Sequence, residues 1–246
     1  MATGEVVYTR EFGNQTRFDS VAVAPNGEFF AVAKKVHERE SFVTLFRVVT
    51  GEQIQEWEFG TCNDPVTCLA ISPESSLVAA GNRSGEFAIF ASNQPDEPLI
   101  RKLARGSGTL ANPGEIYSNR VNFVAFRQGG QQLVTRSLII DQVNTRQYGE
   151  IATWDVTSGE LRGSFPDELG NGWRTPAAIS RDQKQMAVRT DEFIEIFDLE
   201  SEESIVRLQD SAGTLDQWPG NSGIAFSQDG RQLAAAGDGF EVCDWD

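Results

Sequence analysis

The sequence predicts an all-β fold, a ring of five four-stranded antiparallel units forming one domain across residues 1–246. Three observations carry that prediction. A short apolar run with an alanine in register returns five times, at Ala22, Ala70, Ala125, Ala178 and Ala225, in steps of 47 to 55 residues. Short strands repeating at such a period indicate the blades of a β-propeller or a related repeat array. Each run is followed by turn residues and then by stretches of period-two alternation, the mark of strands with two unlike faces. The two ends of the chain also match. Cys243-Asp244-Trp245-Asp246 joined to Thr3-Gly4-Glu5-Val6-Val7 repeats the internal junction Trp154-Asp155-Val156-Thr157-Ser158-Gly159-Glu160-Leu161, with an alanine step of 43 residues across it. The expected ring is therefore closed, residues 3–12 forming the outer strand of the last blade beside residues 241–245.

Within each unit the first strand is the alanine-bearing run, as in Thr67-Cys68-Leu69-Ala70-Ile71 or Asn122-Phe123-Val124-Ala125-Phe126. A turn rich in Gly, Asn and Asp follows, for example Asn26-Gly27 and Asp229-Gly230, which accept the positive φ that tight hairpins demand. The second strand is short and apolar, as in Gln132-Leu133-Val134-Thr135. The third alternates, as in Glu86-Phe87-Ala88-Ile89-Phe90 and Glu192-Phe193-Ile194-Glu195-Ile196-Phe197-Asp198. A turn such as Thr50-Gly51-Glu52 leads to the outer strand, for example Glu52-Gln53-Ile54-Gln55-Glu56-Trp57, where Trp57 should pack between blades.

These units resemble WD-repeat propeller blades. The residues that carry the resemblance are Trp154-Asp155, Phe197-Asp198 and Cys243-Asp244 at the ends of third strands, with the hairpins Ser180-Arg181-Asp182 and Ser227-Gln228-Asp229-Gly230. The likeness covers nearly the whole chain, but the repeats are degenerate. No repeat has the Gly-His pair that often precedes the first strand, and only one has a true Trp-Asp, so the family's hydrogen-bond network through His is not implied here. The family commonly has seven blades, against five in this chain. A ring whose first and last blades stay unpaired would expose strand edges, so the alternative to closure is a partial propeller completed by a second chain.

Composition restricts the function. The chain has 21 Lys and Arg against 36 Asp and Glu, a net charge of −15, which disfavours broad contact with nucleic acid or anionic membranes. It has no apolar run of the roughly 18 residues needed to span a bilayer and no basic-then-apolar leader at its start, so a cytoplasmic location is expected. Cys68, within a first strand, and Cys243, in a Trp or Phe position, read as small buried hydrophobes. Cys62 and the lone His37 do not form a zinc pattern. No metal site and no cofactor are expected, and the sequons at Asn14 and Asn82 read as chance matches.

Candidate binding residues gather where connections enter first strands. Arg17, Arg120 and Arg174 stand just before first strands, and Arg136 and Arg189 share one register at the end of the second strand. Both loop sets emerge on one face of a WD-like ring, so these five arginines are expected to look out on it, four of them on two adjacent blades. They would recognise an acidic peptide or a phosphoryl group. Ordinary surface pairing with residues such as Asp141, Asp167, Glu168, Asp191 or Asp216 is the alternative. Two long connections fall in the same region. Residues 104–120 lead into the third blade, and residues 137–148 lengthen its second hairpin with the aliphatic run Leu138, Ile139 and Ile140, which either contacts a partner or covers a blade edge. Trp173 and Trp218, in loops on this face, are partner anchors or plugs over a neighbouring blade.

An enzyme is not expected. Glycosidase chemistry needs two facing carboxylates, yet among the first strands only Asp19 is acidic. The single histidine lies in the charged stretch Lys34-Lys35-Val36-His37-Glu38-Arg39-Glu40, with no nucleophile motif nearby. The expected function is a non-enzymatic interaction scaffold or adaptor that receives a protein or peptide on its loop-rich face at blades two to four. The rival reading is a glycan-binding, lectin-like ring. Trp173 and Trp218 have no aromatic counterparts in the other inter-blade loops, which favours the scaffold.

Overall fold

The computed structural model describes residue 9 and residues 16–36, 40–61, 63–94, 97–104, 116–141, 146–167, 175–190, 193–209 and 223–235. Four antiparallel sheets of four strands follow one another along the chain, each in simple sequential order. Blade 1 comprises β1 (Thr16–Val23), β2 (Phe29–Val36), β3 (Glu40–Arg47) and β4 (Gln53–Thr61). Blade 2 comprises β5 (Val66–Ile71), β6 (Leu77–Asn82), β7 (Glu86–Ala91) and β8 (Ile100–Leu103). Blade 3 comprises β9 (Ile116–Arg127), β10 (Gln132–Asp141), β11 (Arg146–Asp155) and β12 (Leu161–Asp167). Blade 4 comprises β13 (Ala177–Ile179), β14 (Gln185–Arg189), β15 (Phe193–Asp198) and β16 (Glu203–Gln209). A fifth sheet shows two strands, β17 (Ile224–Phe226) and β18 (Leu233–Ala235).

The strands are held in place by what covers their two faces. In β6, Val78 and Ala80 pack with Leu45, Trp57 and Phe59 of blade 1, whereas Ala79 joins Val121, Leu133 and Trp154 of blade 3. A strand buried on both sides must be apolar or have its polar groups bonded, which is why β6 reads as an apolar run up to the hydrogen-bonded Asn82. Similar clusters join blade 3 to blade 4 through Val134, Ile151, Met186 and Phe197, and blade 4 to the fifth sheet through Ala187, Ile194, Leu233 and Ala235. Trp57 packs between blades as expected: its ring stacks on Phe90 at 5.0 Å, and its Nε1 donates to the Gln94 carbonyl at 2.9 Å. Along the sheets, β1 lies against β5, β5 against β9 and β13 against β17, so the blades meet through their first strands.

The turns joining first to second strands follow the chemistry expected of them. Gly27 and Gly230 take φ of +71° and +74°, a region open to glycine without a Cβ penalty. The Ser180 Oγ donates to Asp182 Oδ1 and accepts from the Gln185 amide, and Ser227 repeats both bonds with Asp229 and Gln232.

Of residues 137–148, 137–141 continue β10 and 146–148 open β11, while 142–145 lie outside the described residues. β10 and β11 each run ten residues, and β9 runs twelve beside them. Leu138 and Ile139 are buried and Ile140 half-buried, which corrects the partner-contact reading and favours cover within the blade. The physical reason is cross-strand cover: Ile139 stands between Asn119 and Tyr148 in register, and the lengthened hairpin buries its own side chains.

Ring closure lies outside the described residues, since it joins residues 3–12, of which only Thr9 is described, to residues 241–245. The face of blade 1 turned away from blade 2 leaves Phe18, Val21 and Val23 exposed at 50%, 65% and 64%.

Candidate interaction face

In a sequential antiparallel sheet, the first-to-second and third-to-fourth turns share one end. The second-to-third turn and the connection to the next blade share the other.

At the turn end, Asp155, Asp182, Asp198 and Asp229 all sit in tight turns. The Asp155 carboxylate accepts from Arg162 at 2.5 Å and from the Thr157 and Ser158 amides. These bonds, the Arg162 one foremost, hold it well below the usual carboxylate range. Asp182 and Asp229 are lowered chiefly by the Ser180 and Ser227 hydroxyls, and Asp198 by the Ser201 and Glu200 amides. This end therefore stays anionic far into acid.

At the connection end, one structural device recurs. The pairing of first with second strands skips a residue at Asp19 in blade 1, at Thr67 in blade 2 and at Asn122 in blade 3. Each skipped residue lies three before the blade's alanine, and each is polar. A bulge of this kind leaves one residue outside the ladder and re-aims it. Thr175 holds the same sequence position in blade 4, where it is buried, and Ser222 holds it in the fifth repeat, outside the described residues. The Thr67 hydroxyl donates across to the Val121 carbonyl of the next first strand, stitching blade 2 to blade 3. The Asn122 amide is buried at both its nitrogen and its oxygen, and neither atom has a hydrogen-bond partner. Such an amide is costly unless something answers it.

The predicted arginines separate into two groups around this level. Arg17 is exposed and Arg120 half-buried, each two residues before a bulge. Arg136 and Arg189 are instead buried, which corrects the expectation that they look outward. Their shared register is real, but that position on the second strand faces the following blade, as does its neighbour Val134 in the cluster between blades 3 and 4. Arg136 has no exposed side-chain surface and pairs with Asp167, equally inaccessible, through Nε–Oδ2 at 2.6 Å and Nη2–Oδ1 at 3.0 Å. Asp167 is among the pairing residues expected, but the pair lies in the interior and is not a surface pair. Trp173, Arg174 and Trp218 lie outside the described residues.

Cys68, beside the Thr67 bulge, is buried, as its place in a first strand implied. Burial pushes its thiol up to about 12, against smaller opposing contributions from Thr67, Gly81 and the nearby Arg120. Asn82 is also buried, its side chain bonded to Ser84 and Glu86, so that sequon is not presented to solvent. Among the described residues no group of three or more His, Cys, Asp and Glu could hold a metal ion, and no helix is long and apolar enough to cross a membrane.

The bulge positions were legible only after aligning the repeats on their alanines, because a lone polar residue at a strand start carries no signal. Gly149, which stands in β11 opposite Asp167, gave none at all, whereas Asp167 was among the expected pairing residues.

No curated protein matches the chain. The WD domain, G-beta repeat family matches residues 51–89, a stretch running from the outer strand of blade 1 through the third strand of blade 2. That match and the succession of four-stranded antiparallel sheets support a WD-repeat-like propeller architecture.

Proposed function

We propose that the chain is a non-catalytic interaction scaffold whose connection end, across blades one to four, receives an acidic peptide or protein segment. The observation that carries the reading is the level of polar bulge residues, Asp19, Thr67 and Asn122, with Arg17 and Arg120 two positions before the first and third of them. Guanidinium groups match carboxylates. The proposal includes a closed five-bladed ring, with residues 3–12 and 241–245 completing the last blade. Exposed Val21 and Val23 support closure, since an apolar face of that kind calls for a cover.

The test uses fluorescence anisotropy with a labelled dodecapeptide of alternating Glu and Gly, against its Gln-Gly counterpart. The acidic peptide is expected to bind and the neutral one to bind at least about tenfold more weakly, as loss of a charged anchor implies. The Arg17→Glu, Arg120→Glu variant is expected to lose the acidic peptide while keeping its melting temperature. Equal binding of both peptides, or equal binding by the variant, would overturn the reading.

A further inference from the structure

Three residues of blade 2 converge on one residue of blade 3, the fully buried Val121. The Thr67 hydroxyl, left out of the ladder at its bulge, donates to the Val121 carbonyl and lies 3.2 Å from the carbonyl of Gly81 on β6. A hydroxyl has one proton to give, and the Val121 oxygen is the nearer of the two. The Cys68 thiol approaches the same oxygen, with Sγ at 3.7 Å. Gly81 makes the room: a Cβ there would fall 2.5 and 2.7 Å from Val121 side-chain atoms. Val121 is therefore held from blade 2 by both its carbonyl and its side chain.

Arg120 stands directly before Val121 on β9, opposite Leu138 in register and two residues ahead of the bulge at Asn122. One planar peptide bond links it to the fixed valine, so the hold on Val121 sets where the Arg120 side chain leaves the strand. Its charge stays near the same seam, since it is among the influences that oppose the rise of the Cys68 thiol. Packing between blades does not by itself call for a hydroxyl at this point. Leu69 and Ile71 of the same strand meet blade 1 with apolar side chains, and Ala70 meets blade 3 without a polar group. What the Thr67 hydroxyl adds is direction, because a hydrogen bond weakens steeply as its angle departs from linear.

We infer that Thr67 is a positioning residue for recognition of the acidic partner: by fixing Val121 across the seam between blades 2 and 3, it aims Arg120 without touching the partner. This rests on Arg120 belonging to the interaction face. Blade 2, which carries Pro65 where blades 1 and 3 carry Arg17 and Arg120, thus takes part through its neighbour's arginine.

A double-mutant cycle on the full chain tests it, read by anisotropy with the labelled Glu-Gly and Gln-Gly dodecapeptides. Thr67→Val keeps the side-chain shape and removes the hydroxyl. It is expected to weaken the acidic peptide about tenfold and to leave the neutral one unchanged, as loss of a charge-assisted contact does. Added to Arg120→Gln it should cause no further loss, because residues that act through one contact are not additive. Thr67→Ser, which keeps the donor, should restore the acidic peptide. Unchanged binding in Thr67→Val, full additivity with Arg120→Gln, or no restoration by Thr67→Ser overturns the proposal. Should Thr67→Val melt at a much lower temperature, Gly81→Ala takes its place in the cycle. It displaces Val121 while keeping the hydroxyl, and the same coupling to Arg120 must appear or the proposal falls. If the parent chain binds no acidic peptide, the functional reading fails and the recognition role with it, and hydrogen exchange decides whether Thr67 holds the strand. Exchange at the Arg120, Val121 and Asn122 amides that rises about tenfold or more in Thr67→Val, without a fall in melting temperature, keeps the holding role. Unchanged exchange removes it.

Discussion

Replacing Arg136 with Ala should be among the most damaging single changes in this protein. Both partners of the Arg136–Asp167 pair have no exposed side-chain surface, and the carboxylate receives two bonds from the guanidinium, at 2.6 and 3.0 Å. Removing the arginine leaves a charge sealed from water, a change that costs about 3–5 kcal/mol. For a chain of this length each kcal/mol lowers the melting temperature by roughly 2 °C or somewhat more, so a fall of about 6–10 °C is expected. Arg101→Ala provides the internal comparison, because the Arg101–Glu86 pair is 50% and 28% exposed and such pairs contribute about 0–1 kcal/mol. Differential scanning calorimetry measures the loss. A loss below about 2 °C, no larger than the surface control, would refute the reasoning.

Gly81→Ala should destabilise by about 1–3 kcal/mol through overpacking. The added Cβ would meet Val121 side-chain atoms at 2.5 and 2.7 Å and Cys68 Sγ at 2.8 Å, between blades that cannot part without losing their contact. Chemical denaturation checks it, and a neutral result would mean that blades 2 and 3 are less tightly joined. Cys68 should make stability fall on the alkaline side. Its pKa is raised from 9.0 in the unfolded reference to about 12 in the fold, so its contribution is complete below 9 and disappears as pH climbs toward 12. A Cys68→Ala variant should show a shallower decline over that window in thermal melts, and identical slopes would remove the thiol as the cause.

Much of the architecture was readable because propeller-like blades advertise themselves locally. The alanine-bearing runs, the Asn-Gly and Asp-Gly turns and the alternating third strands all report on neighbours a few residues away, and β5 and β15 fall where those signals put them, whereas β9 begins at Ile116, within the 104–120 span expected as connection. Burial between blades does not report itself in that way. Arg136 and Arg189 were placed in the right register, yet the fifth position of a second strand faces the next blade, and only the packing of one sheet on another reveals it. The aliphatic run at Leu138–Ile140 left two readings open for a related reason. Its excess length over the other repeats signalled an insertion, but strands β9, β10 and β11 lengthened together and covered it. The bulge residues Asp19, Thr67 and Asn122 were visible as a polar column once repeats were aligned, but a bulge is a fact about the pairing of two strands.

Burial of Arg136 and Arg189 changes how an acidic partner could be recognised. With Arg136 already committed to Asp167, its charge is spent inside the fold, and among the described candidates Arg17 and Arg120 remain nearer solvent. The chain as a whole carries −15, and the turn-end carboxylates stay ionised because their hydrogen bonds lower their pKa values. An acidic peptide at long range therefore meets repulsion, which salt screens over a Debye length of about 10 Å at 0.1 M. In the proposed role, steering cannot supply the selectivity; it must come from contacts made after encounter, where a guanidinium reads the carboxylate in a fixed two-bond geometry.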